Sequence, residues 1–174
     1  MSTSVRYLAA VASALALLGS AGCGATGGGS ETPPPPKDEL ASVNPCDALT
    51  PQDLAASGLP ESGQPENKLP WKPGCEYDSD ELGLTVYKDT NFTVDRIKTQ
   101  SQWVKWDQID VNGRPAVTAV NGSSADARVC STMFDSGRGR IEVMVGTNNP
   151  DNNSQCQKSQ EIAKQIEPRM PKKQ

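Results

Sequence analysis

The residues with chemistry to offer are five cysteines, several clustered carboxylates and a closely spaced pair of tryptophans, in a chain of 174 residues without a single histidine. Lacking imidazole, the chain can build no Ser-His-Asp or Cys-His nucleophile, and it has none of the histidines on which catalytic zinc usually sits. Hydrolysis would have to rest on carboxylates or on Ser/Lys pairs. Asp107 and Asp110 are the candidate acids of such an enzyme, but glycosidic cleavage needs two carboxyl groups facing across a cleft at about 5 to 9 Å. Asp78, Asp80 and Glu81 read as a solvated acidic turn, because the spacing of a calcium loop with its distal Glu is missing. Trp103 and Trp106 are three residues apart and could line a ligand surface or the mouth of a lipid cavity. In a chain with 5% aromatic residues they serve more often as core anchors. No catalytic, cofactor-binding or metal-ligating residue is assigned.

The cysteines carry more information than the carboxylates. Met1 to Arg6 bears one positive charge, Tyr7 to Leu18 is apolar, and Gly19, Ser20, Ala21 and Gly22 are small, which is the three-part pattern of a secretory signal. The apolar run is shorter than the ~20 residues that a spanning helix requires. Ala21-Gly22-Cys23 matches the end of a lipobox, although Ser20 stands where bacterial lipoproteins usually carry Leu. The expectation is therefore cleavage after Gly22 and acylation of Cys23, palmitate included. Cys46, Cys75, Cys130 and Cys156 remain, an even number in an exported chain, and two structural disulfides are expected. Of the three pairings that four cysteines permit, the sequential one, Cys46 to Cys75 and Cys130 to Cys156, is favoured because it closes a loop within each half of the domain. Each such loop stabilises the fold by roughly 3.5 kcal/mol on the chain-entropy model.

The elements that must position these residues follow in order. Residues 1–22 are the signal peptide. Residues 23–42, with Gly27-Gly28-Gly29-Ser30 and Pro33 to Pro36, form a flexible stalk, and residues 43–171 form one domain. Thr50-Pro51-Gln52-Asp53 opens a short helix that Gly58 can end. Leu82, Leu84 and Val86 alternate as a strand, to which Cys75-Glu76-Tyr77 connects across the acidic turn. Phe92 and Ile97 could staple a helix capped by Thr93 and reaching about Gln102. Asn112-Gly113 marks a hairpin, the strongest local signal in the chain. A second hairpin joins strands at about 127–134 and 140–147. Asn149-Pro150 opens a last helix that places Cys156, Ile162, Ala163 and Ile166 on its buried stripe before Pro168 stops it. The expected fold is α+β, an antiparallel sheet of about five strands with helices packed on one face.

These residues resemble a family. Asn44-Pro45-Cys46-Asp47-Ala48-Leu49-Thr50, Gly74-Cys75-Glu76-Tyr77, Asn112-Gly113-Arg114-Pro115-Ala116, Cys130, and Cys156 followed by Ile162-Ala163 are similar to the actinobacterial lipoproteins of domain-of-unknown-function family 3558. The resemblance runs from about Val43 to Met170. Tyr77 stands where such relatives often have Trp. The resemblance implies a lipid-anchored protein on the outer leaflet of the cell membrane in high-GC Gram-positive bacteria, and it supports the sequential disulfides. It supplies no catalytic residue.

Charge narrows the partners. With 17 basic and 21 acidic residues the chain carries −4, and loss of the leader with its one charge, Arg6, leaves −5. Such a surface repels nucleic acid, and Lys172-Lys173 is the only adjacent basic pair. The function expected is a non-enzymatic envelope binding module that meets the membrane through its anchor and an envelope protein or ligand through its domain. A lipid or small-molecule carrier and a carboxylate-dependent hydrolase are the alternatives.

Overall fold

The computed structural model describes residues 37–99, 103–122, 129–147 and 152–174. The proposed signal peptide, Cys23 and most of the stalk lie outside these residues.

Among the described residues seven strands form one antiparallel sheet: β1 (Gln64–Glu66), β2 (Gly74–Asp78), β3 (Leu82–Asp89), β4 (Trp103–Val111), β5 (Arg114–Asn121), β6 (Val129–Ser136) and β7 (Gly139–Thr147), in the order β1-β2-β3-β7-β6-β5-β4. With them go α1 (Pro51–Ala56), α2 (Val94–Lys98) and α3 (Asn152–Ile166). The α+β class and both disulfides are as expected, whereas the strand count exceeds about five. β1 is the strand that escaped: its three residues, Gln-Pro-Glu, offer no apolar alternation, and only pairing with β2 makes it a strand.

Period-two alternation sorts the sheet into two faces. One face carries Cys75, Tyr77, Leu84, Val86, Val143, Val145, Phe134 and Ala116, and packs beneath Leu54 of α1 and Ile162, Ala163 and Ile166 of α3. The other carries Val117, Ala119 and Met133, packed against Val94 and Ile97 of α2. Helices therefore cover both faces, which corrects the one-sided arrangement. The cause is visible in the strands themselves, since β5 and β6 bury apolar residues at consecutive positions and need a cover on each side.

Local chemistry explains each helix end. Thr50 and Asp53 form a reciprocal capping box on α1 with Pro51 in its first turn, and Gly58 follows at φ +68°. Thr93 makes no side-chain cap on α2; the Val94 amide instead donates to Asp135 Oδ1 at 2.7 Å. The first helical turn of α2 is thus held by a residue 41 positions away. The helix closes at Lys98, short of Gln102. In the β4–β5 turn Asn112 and Gly113 both adopt positive φ, and Asn112 Nδ2 donates to the Lys164 carbonyl at 2.8 Å, tying the hairpin to the end of α3. The second hairpin turns more tightly than expected, at Gly137-Arg138 between β6 and β7.

Cys46–Cys75 and Cys130–Cys156 are bonded, with Cα separations of 5.0 and 5.1 Å. Cys130 lies on β6, flanked by strands on both sides, so its disulfide fastens α3 to the interior of the sheet. The folded body also reaches past the stalk boundary set at residue 42. Leu40 is fully buried within a short 3-10 turn, and the Lys88 ammonium donates to the carbonyls of Ala41 and Val43, each at 2.6 Å. At the other end, the Gly137 amide donates to the Lys172 carbonyl and the Gln174 amide to the Gly137 carbonyl. Among the described residues, no helix is long and apolar enough to cross a membrane.

Candidate functional site

Trp103 and Trp106 do come together, with ring centroids 5.1 Å apart and planes inclined by 59°. Their faces are occupied by packing. Trp103 Nε1 donates to the Ile97 carbonyl at 3.2 Å, and both rings sit against the cluster of Val94, Ile97, Val117, Ala119 and Met133. The pair fastens α2 onto the sheet and keeps only part of its surface for solvent.

Asp107 and Asp110 do not face one another across a cleft. Asp107 and Asp110 are separated by three places on β4 and so point to opposite faces. Asp107 pairs with Lys105 at 3.3 Å, while Asp110 Oδ1 accepts from the Gly113 amide at 2.6 Å and shapes the turn. Asp78 and Glu81, with Ser79, Gly83 and Thr147, line a depression of about 340 Å³. Asp80 and Glu81 line an adjoining one of about 710 Å³ with Ser57, Ser154 and Lys158. Among the described residues, no three potential metal ligands converge.

The most organised polar chemistry lies elsewhere, on the sheet face that carries α2. Glu142 of β7 is held between two cations, Lys72 Nζ at 2.8 Å and Arg140 Nη2 at 3.4 Å, and accepts from Ser131 Oγ at 2.9 Å. Arg140 pairs in turn with Asp89 of β3 at 2.7 Å, and its Nη1 donates to the Phe92 carbonyl at 3.0 Å. Asp89 Oδ1 accepts from the amides of Asn91 and Phe92. Burial pushes the Glu142 carboxyl upward, but the charges of Lys72 and Arg140 and the bonds from Lys72 and Ser131 outweigh it and hold Glu142 below the ordinary glutamate value. Tyr87 lies under Lys72, whose ammonium is 4.4 Å from the ring centroid. Burial, and then the hydrogen bond to Glu66, push the Tyr87 phenol up to about 12.

This network secures a projecting turn. The Lys72 amide donates to the Leu69 carbonyl at 2.9 Å, the Thr90 amide to the Trp71 carbonyl at 3.2 Å and the Lys88 amide to the Pro73 carbonyl at 3.0 Å. Glu66 Oε1 accepts from the Lys68 amide at 2.8 Å, closing the near end. Leu69 and Trp71 stand out from it, 43% and 41% exposed, which is unusual for side chains of their size in a protein with so few aromatics. In sequence this segment is a Pro- and Gly-rich loop without apolar periodicity. The available signal was Trp71 itself, an aromatic residue inside a polar connection, next to a lysine. What could not be read was that Lys72 meets a glutamate 70 residues further on.

A disulfide-braced α+β protein with a charge-anchored apolar turn is the class that the fold and site define. The family model described as protein of unknown function (DUF3558) matches residues 18–169, and the chain belongs to that family. The match begins before Val43, inside the segment read as the leader. No significant match was found among curated proteins or among solved structures.

Proposed function

We propose that the protein is a non-enzymatic interaction module, exported, acylated at Cys23 and displayed on the extracytoplasmic face of the cell membrane, and that it engages an envelope protein or ligand through the Leu69-Pro70-Trp71 turn. The observation that carries this reading is the pairing of exposed apolar side chains with a buried clamp. Leu69 and Trp71 face solvent, while Lys72 beside them is fastened to Glu142 at 2.8 Å. A turn held in place before binding loses little conformational freedom on binding, which is how a small patch gains affinity. Tryptophan is the residue type most often found at the energetic centre of interfaces.

The test is photo-crosslinking in intact cells from a probe placed at Leu69, in the otherwise native protein and in a Trp71→Ala variant of unchanged thermal stability. Adducts present in the first and at least tenfold weaker in the second are expected, since losing a central Trp costs about 2 kcal/mol or more. Identical adducts from both proteins would retire the site.

A further inference from the structure

We propose that the outer edge of β4 is a self-complementary surface on which a second copy of this chain docks, joining the two sheets edge to edge in antiparallel register about Trp106. The two edges of the sheet are treated differently. β1 is three residues long and contains Pro65, both of which discourage further pairing. β4 is nine residues long and pairs only with β5 among the described strands.

Its backbone is set out for addition. The two-residue Asn112-Gly113 turn makes Val111 and Arg114 the first hydrogen-bonded pair of the hairpin, and the ladder then bonds at Ile109–Ala116, Asp107–Thr118 and Lys105–Val120. By that alternation the N–H and C=O groups of Trp106, Gln108 and Asp110 point away from β5, toward the open edge.

Charge selects the occupant and the register. Lys105 and Asp107 share one face of β4 and are both well exposed, at 40% and 54%. In a two-fold antiparallel pairing centred on Trp106, Lys105 lies opposite Asp107 of the second copy and Asp107 lies opposite its Lys105. With the 3.3 Å pair already present in each chain, the result is a ring of four alternating charges. Centring the pairing one place back sets lysine against lysine, and one place forward sets aspartate against aspartate, each a penalty when directly opposed. On the other face the favoured register brings Trp106 against Trp106, and it sets the 64% exposed Val104, at the β-bulge, opposite Gln108. The surface is complementary to itself, as a two-fold interface must be.

Charge reversal tests both the surface and its register. Sedimentation velocity of the full chain in detergent over a concentration series is expected to show a reversible dimer. Lys105→Asp alone and Asp107→Lys alone each replace two opposite-charge pairs by two like-charge pairs, and should weaken the dimer by roughly tenfold or more. The double reversal should restore it to within about threefold, with the thermal midpoint measured at dilutions where the chain is monomeric unchanged throughout because both side chains are exposed. A chain that is monomeric at every concentration overturns the proposal, as does a dimer indifferent to the single reversals or one that the double reversal fails to restore.

Discussion

Glu142 shows how one side chain decides what a neighbouring segment can do. It is a carboxylate with almost no solvent exposure, and it stays ionised because Lys72 and Arg140 lie on either side and Ser131 donates to it. Replacing a buried pair wholesale with apolar groups can be neutral, but removing one partner leaves charge without compensation. Glu142→Gln should therefore lower stability by about 3 to 5 kcal/mol, measured by urea denaturation. The same change should raise hydrogen exchange at the Lys72 and Thr90 amides, which tie down the Trp71 turn. The pH dependence has a definite sign. Because the folded-state value is depressed, the unfolded chain binds the proton more readily, so the contribution of Glu142 is complete above its ordinary value near 4.5 and is lost as the pH falls below it. Native-state exchange at the Thr90 amide, followed downward from neutral pH, should accelerate only below that value after correction for intrinsic rates. Acceleration between pH 5 and 7 would place control of the turn in some other group.

At the scale of elements, the second disulfide couples the longest helix to the sheet interior. α3 is polar along most of its length, with Ser154, Gln157, Glu161 and Lys164 at its exposed positions, so its own helical preference is modest and its place depends on packing. Ile162, Ala163 and Ile166 anchor its last turns in the main core, while its first turns rely on Cys156 and on the buried contact of Ser159 with Thr132 at 2.7 Å. Cys130→Ala/Cys156→Ala should cost about 3.5 kcal/mol, and the exchange protection lost should concentrate toward the start of α3 rather than at Ile166. Uniform loss along the helix would show that the packed end depends on the disulfide as well. These elements also mark what sequence could deliver. Cys156, Ile162, Ala163 and Ile166 announce their shared face through helical spacing, and Asn112-Gly113 announces its turn, because both signals are local. The Asp135 cap of α2 and the pairing of Lys72 with Glu142 are products of tertiary contact between segments tens of residues apart, and no window of sequence contains them, whereas β1 lies close in sequence to its partner β2 but has no apolar alternation to announce it. The tryptophans fall between these cases: their reading as core anchors holds, but three places apart on a regular strand they would face opposite ways, and the β-bulge between Trp103 and Lys105 is what sets both against α2.

For the whole molecule, the clamped turn and the open β4 edge acquire a setting from the proposed anchor. The Trp71 turn lies over β3 and β7, on the β1 side of the sheet, whereas β4 forms the opposite edge, so a partner at the turn and a second copy at the edge need not compete. Confinement by a lipid would raise the local concentration of both surfaces, and two-fold pairing would present two Trp71 turns at once, converting modest single contacts into tighter combined binding. Acylation is the step on which this depends. A single fatty chain gives only marginal, reversible membrane binding, whereas a lipoprotein with several chains at its first residue is held firmly. Cys23→Ala should therefore move the protein from the membrane pellet to the supernatant of fractionated cells, and mass spectrometry of the native N-terminal peptide should find Cys23 as the first residue, carrying acyl groups. The disulfide-bonded domain should fold equally well in both forms, because every cysteine of the braces lies in the described body. Full retention of the Cys23→Ala protein in the membrane fraction, with Met1 still present on the native chain, would remove acylation as the means of display.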